Sequence, residues 1–365
     1  MSITFSLFFL SLTTLFTSLS CIGLSKPLPS PELPSPYISP IKFFRNYEAM
    51  LNKFKIFIYK PNAAFAYESP SESLFYTSLP SSPFATEDGE QAHLYFVPFP
   101  SDLRINSLSR VVREIRRAFP YWNRTLGADH VFISCRGSTT AGDRNVLELT
   151  KNAIQISCFP APAGKFIPHK DVSLPAVSTF GVDTPLEPKN ASARFLAYLR
   201  PDQSAGANES ALVNQLTGDP DFLIDSGAPF DKATYEERLS SSKFCLFEYG
   251  AGASRIGEAL LFGCVPAGII DRPVQALPFM DVLTWQEIAV FVGAGGGVEE
   301  LRTALSQAAA GDRYERMRRL GVAASKHFVW HKTPEPYDCF NTLMYQLWLR
   351  RFAIRYVIRD DLSLD

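Results

Sequence analysis

The sequence predicts an α/β protein built on two parallel sheets, and three observations carry that expectation. Short apolar runs alternate with amphipathic segments along most of the chain, the pattern of strands joined by helical crossovers. Residues 240–292 concentrate it: an apolar run at 244–247 enters a turn containing Gly250 and Gly252, an amphipathic segment follows at 254–262, Gly263 stops it, and a second apolar run spans 265–270. With 365 residues, 46% of them hydrophobic and 20% charged, the chain has a globular composition and the length of about two domains.

Residues 3–24 carry no charge and are rich in Phe, Leu and Ile. Such a run is long enough to span a bilayer and reads equally as a long signal peptide without a basic start; residues 1–24 are therefore expected to be a signal anchor or a signal peptide. Prolines then cluster between Pro27 and Pro40. That composition builds no core, so residues 25–45 read as a stem or linker.

KIFIY (55–59) reads as the first strand and HLYFVP (93–98) as another. Leu108, Val111, Val112, Ile115 and Phe119 recur at helical spacing. The opposite face carries Arg110, Arg113, Arg116 and Arg117. With a net charge of −1, that face reads as a solvated helix surface, and no nucleic-acid partner is expected. HVFIS (130–134), AIQISC (153–158), RFLAYL (194–199), 221–225 and 243–247 supply further strands. GKFIPHKDVSLP (164–175) reads as an extended loop, and helices at 299–309, 313–327 and 338–356 close the chain. The two sheets divide between residues 185 and 194.

Sequons at Asn123, Asn190 and Asn208 suit a secretory route. Beyond Cys21 there are five cysteines (Cys135, Cys158, Cys245, Cys264 and Cys339), an odd number, and none has the C-x-x-C spacing of a zinc site. Neither a G-x-S-x-G elbow nor a P-loop occurs in the sequence. On a helix starting near Ser254, Arg255 and Glu258 are neighbours at i, i+3. The arginine could meet a diphosphate and the carboxylate ribose hydroxyls, or the two could form a surface ion pair. Asp171, Asp129 and His130 are candidate bases; a turn-capping aspartate and a packed histidine are the alternatives. Asp219-Pro220-Asp221 has the D-x-D form of a metal-dependent sugar site but reads as a turn before a strand.

In the order of its motifs the chain resembles the exostosin-like glycosyltransferases, of the single-domain plant and algal type. The resemblance rests on KIFIY, YFVPF (95–99), PYWNR (120–124), KDVSLP (170–175), SKFCL (242–246), Gly250, the Arg255/Glu258 pair, GCVP (263–266) and LPF (277–279). Departures are Glu248 where a proline is usual, Gly127-Ala128-Asp129-His130 in place of a GRDH-type motif, and Tyr198-Leu199-Arg200-Pro201 at a strand that often ends in Phe-x-Gly.

The resemblance implies a GT-B-like fold with two Rossmann-like domains facing across a cleft: 46–188 on the acceptor side, 189–335 for the nucleotide-sugar, and a C-terminal helix over 336–365. It implies inverting transfer of a sugar from a UDP-sugar to a polysaccharide or glycan. No metal or other cofactor is required. Arg255 would meet the donor diphosphate and have a catalytic part, with Gly250, Ser254 and Glu258 around the donor and Asp171 as candidate base. A Cys245–Cys264 disulfide is implied, as is a single-pass type II Golgi membrane protein with a lumenal catalytic part; secretion after signal cleavage is the alternative. A second reading is a non-catalytic glycosyltransferase-like subunit or scaffold that retains a partner enzyme.

Overall fold

The computed structural model describes residues 34–61, 63–136, 143–161, 166–182, 193–201, 211–225, 230–248, 255–270 and 276–352. The chain divides between Ser35 and Pro36, and the architecture below is that of the part beginning at Pro36. Among the described residues no helix is long and apolar enough to cross a membrane; residues 3–24 lie outside them.

The first sheet holds β1 (Ile56–Ile58), β2 (Ala85–Thr86), β3 (Leu94–Phe96), β4 (His130–Ile133), β5 (Ile154–Cys158) and β6 (Val172–Leu174), all parallel, in the order β2-β1-β3-β4-β5-β6. The second holds β7 (Phe195–Leu199), β8 (Phe222–Ile224), β9 (Ser242–Glu248), β10 (Val265–Ile269) and β11 (Val290–Val292), also all parallel, in the order β11-β10-β9-β7-β8. Each sheet thus reverses direction beside its first strand, the doubly wound pattern. Two parallel sheets with helices give the expected α/β, GT-B-like architecture.

Alternation along each strand explains why the runs read as continuously apolar. In β4, Val131 and Ile133 join the core formed with Met50, Phe75 and Leu343, whereas Phe132 faces Val112, Trp122 and Leu149. These partners come from α1 (Pro40–Lys53), α2 (Pro70–Ser81) and α11 (Cys339–Arg350) on one side, and α3 (Ile105–Ala118), α4 (Tyr121–Thr125) and α5 (Arg144–Asn152) on the other. In β9, Phe244 and Leu246 pack with Leu305 of α9 (Gly297–Ala309) and Met317 of α10 (Arg313–Ser325); Cys245 faces Tyr235 of α7 (Lys232–Ser241) and Ala259 of α8 (Ile256–Leu261). Gly263 ends α8 at φ +70°, where a side chain would be strained.

Three expectations change. Residues 36–45 are not linker: Tyr37 is buried and pairs with Leu283, and α1 starts at Pro40, a residue suited to a helix's first turn. The loop expected over 164–175 contains β6, and the last helix ends at Arg350, with residues beyond 352 outside the description. α11 follows the second sheet in sequence yet packs on β6 of the first.

Candidate functional site

In open parallel sheets ligands lie beyond the carboxyl ends of the strands, where strand order reverses. In the second sheet that point is between β7 and β9. Three adjacent strands carry charge there: Arg200 follows β7, Asp225 follows β8, and Glu248 ends β9. Arg255 stands just before α8, and its Nη2 donates to the Arg200 carbonyl at 3.1 Å.

Asp225 gathers the cluster. Arg200 Nη1 and the Tyr198 hydroxyl donate to its Oδ2 at 2.9 and 3.1 Å, and Arg238 of α7 pairs with Oδ1 at 2.5 Å. Burial alone would raise the Asp225 carboxyl, but the Arg238 and Tyr198 hydrogen bonds and the two arginine charges outweigh it and hold the group below its ordinary value. Arg200 also lies over two rings, 4.9 Å from the centroid of Phe230 and 5.8 Å from that of Tyr235. Two guanidinium groups therefore meet at one carboxylate, with Arg255 bonded to the backbone of one of them, at the place where this sheet type holds anionic ligands.

Glu258 is placed differently from expectation. It is 5% exposed. Its Oε1 accepts from the Thr179 N–H at 2.5 Å, the Thr179 hydroxyl at 2.7 Å and the Ser178 hydroxyl at 3.1 Å, while Oε2 accepts from the Tyr235 hydroxyl at 2.7 Å. Burial first, and then Glu258, push the Tyr235 phenol well above its ordinary value. With both oxygens engaged, Glu258 fastens the segment after β6 to the second sheet and presents no free carboxylate to a ribose. Gly250 and Ser254, expected beside it, lie outside the described residues.

Asp171 requires a correction. It is 1% exposed, its Oδ1 accepts from the Gln155 N–H at 3.0 Å and pairs with Lys170, and its Oδ2 accepts from the Ile167 N–H at 2.8 Å. A carboxylate committed to backbone donors and a buried lysine does not reach an acceptor hydroxyl, so it serves as a structural anchor of β5 and β6. His130 is fully buried, bonded to Asp129 at 2.8 Å and to the Tyr59 hydroxyl at 2.9 Å, and burial lowers its pKa despite Asp129. Asp219 and Asp221 both pair with Arg302, as befits a turn.

Cys245 and Cys264 form a disulfide with Cα atoms 5.6 Å apart, and Cys135 and Cys158 form another at the ends of β4 and β5. Cys339 is a buried thiol. Asn123 is exposed on α4; Asn190 and Asn208 lie outside the described residues.

Volume alone does not pick out the site. A cleft of about 1190 Å³ opens on the first sheet among Phe57, Phe65, Tyr76, Phe99 and Phe119, whereas the pocket beside Arg200, Tyr235 and Arg255 measures about 30 Å³. A third, of about 210 Å³, lies between Pro175 and Ser178 on one side and Ile256 and Glu258 on the other. The charge chemistry is concentrated at the arginines. Sequence reasoning found Arg255 from its spacing but missed Arg200, Asp225 and Arg238. For Arg200 and Asp225 the one signal was a charged residue directly after an apolar run; Arg238, inside α7, had none, and strand order is needed to bring the three together.

Residues 50–307 match the exostosin GT47 domain family. A probable glycosyltransferase of Arabidopsis thaliana is 29% identical over 87% of this chain and 73% of its own length. A probable glucuronosyltransferase of Oryza sativa subsp. japonica is 27% identical over 80% of this chain and 79% of its own. A crystal structure of MurG from Acinetobacter baumannii aligns over 77% of both chains, at 13% identity and a TM-score of 0.34.

Proposed function

The chain belongs to the exostosin GT47 family, and from that premise we propose that it is an inverting glycosyltransferase that moves a sugar from a UDP-sugar to a polysaccharide or glycan. In that reaction an acceptor hydroxyl attacks the anomeric carbon, the bond from that carbon to the diphosphate breaks, UDP leaves, and the hydroxyl proton passes to a base. The departing group gains negative charge, which positioned cations stabilise. The observation that supports the reading is Arg255, placed just before α8 at the reversal point of the second sheet. Its relatives include a probable glucuronosyltransferase of Oryza sativa subsp. japonica and a probable beta-1,4-xylosyltransferase of Arabidopsis thaliana, which favours polysaccharide acceptors.

Residues 3–24 anchor the protein as a single-pass type II protein of the Golgi, with the two sheets in the lumen. Its oxidising milieu suits the two disulfides.

The test is a thermal-shift series on the full-length protein, purified in detergent, with UDP, GDP and UDP-sugars. Saturating UDP is expected to raise the midpoint by linkage, and Arg255→Ala to abolish the rise. A folded protein that answers to no nucleotide would overturn the reading in favour of a non-catalytic subunit.

A further inference from the structure

We propose that Arg200 is a second direct ligand of the donor diphosphate, held in position by Asp225, so that the leaving group is gripped by two arginines from different elements. This rests on the donor-site reading above and adds a residue that neither the helical spacing nor that reading supplies.

Glu248 ends the strand between β7 and β10, so the ends of these strands already carry a carboxylate besides Asp225. Arg255 alone would face a diphosphate with little surplus of positive charge. Arg200 restores that surplus.

Asp225 does not need Arg200: its Oδ1 is paired with Arg238 at 2.5 Å, and Tyr198 donates to its other oxygen. What Asp225 does is fix Arg200, through Nη1 alone, at 2.9 Å. The remaining nitrogens of that guanidinium have no carboxylate or carbonyl partner among the described residues. The rings of Phe230 and Tyr235 hold the group further, and 13% of the side chain stays exposed. Freezing a long side chain costs about 2 kcal/mol of rotamer entropy. A guanidinium restrained on three sides and left with unused donors is arranged for a ligand that arrives later.

The Arg200 carbonyl accepts from Arg255 Nη2 at 3.1 Å, so the two residues are coupled, and both line the same small pocket. Two planar forks at one site match the oxygens of a diphosphate better than one. Asp225 is accordingly a positioning residue and Arg200 a binding one.

The experiment is calorimetric titration of the full-length protein with UDP and with uridine, on wild type, Arg200→Ala, Arg200→Lys, Asp225→Asn and Arg255→Ala. Wild type should prefer UDP. Arg200→Ala should weaken UDP about tenfold or more while leaving uridine within about twofold. Arg200→Lys, which keeps the charge but not the fork, should fall between them and serves if the alanine variant does not fold. Asp225→Asn should narrow the UDP-over-uridine preference in the same sense. Equal weakening of UDP and uridine, or an unchanged UDP affinity in both Arg200 variants while Arg255→Ala loses it, would overturn the role of Arg200 and leave the donor site standing. Absence of UDP binding by wild type would overturn both.

Discussion

Glu258 and Thr179, 79 positions apart, are joined twice: the Thr179 backbone N–H and its hydroxyl both donate to Glu258 Oε1, at 2.5 and 2.7 Å. The contact ties the segment leaving the first sheet to the helix after β9.

Removing that carboxylate leaves Tyr235, Ser178 and Thr179 donors without their acceptor. Glu258→Ala is therefore expected to destabilise by about 2–4 kcal/mol, since buried donors stranded in this way cost more than the bond itself contributed. Glu258→Gln, which keeps one oxygen acceptor, should cost less. Denaturant unfolding of the two variants measures the difference; an alanine variant within about 0.5 kcal/mol of wild type would contradict the assignment.

Stability should fall on mild acidification because of His327. Its ring is fully buried, hydrogen-bonded to Tyr37 at 3.0 Å and to Thr342 at 2.8 Å, and burial, aided by the Lys326 charge, pushes its pKa down from 6.5 to about 3. The group is neutral when folded and protonates at its ordinary value when unfolded. The unfolded chain thus binds more protons between these two pKa values, and stability drops as pH falls through that window. The loss from this group alone should reach about 2 kcal/mol between pH 7 and pH 5. Replacement by Gln should flatten that part of the profile, and a profile left unchanged would assign the effect elsewhere.

Gly257 lies within α8, where alanine would ordinarily help by about 1 kcal/mol. Here a Cβ would fall 2.6 Å from the Cβ of Phe328, and overpacking of that kind costs about 1–3 kcal/mol. Gly257→Ala is expected to destabilise, by thermal unfolding; a gain in stability would mean that the segment carrying Phe328 yields.

The Cys245–Cys264 bridge closes a short loop whose ends are 19 positions apart in sequence. Converting both cysteines to serine should cost about 3 kcal/mol and loosen the register of β9 against β10. Hydrogen exchange on 242–248 would report it; protection as in wild type would show that packing alone sets the strands.

Legibility followed locality. β9 and β10 could be read because both faces of the second sheet are covered, so Phe244, Cys245 and Leu246 form one unbroken apolar run. β6 could not: Val172–Leu174 is three residues ahead of a proline, and only pairing with Ile156, Ser157 and Cys158 makes it a strand. Arg255 and Glu258 were found from helical spacing, but the carboxylate's partners lie in a distant segment, which redirected its role. Arg200, Asp225 and Arg238 meet only because β8 lies outside β7 in the sheet, an arrangement that no local window contains.

The return of α11 to the first sheet has a consequence in time. Phe340, Leu343 and Leu347 fill the same core as Met50, Phe75 and Ile133, so the half of the protein synthesised first waits for the residues synthesised near the end. During translation the early strands must remain unsealed while the whole second sheet emerges, which exposes them to chaperones and to premature oxidation of Cys135 and Cys158 with other thiols. Released chains truncated before residue 339 should be protease-sensitive across 56–174, and released chains that include residues 339–352 should be resistant there.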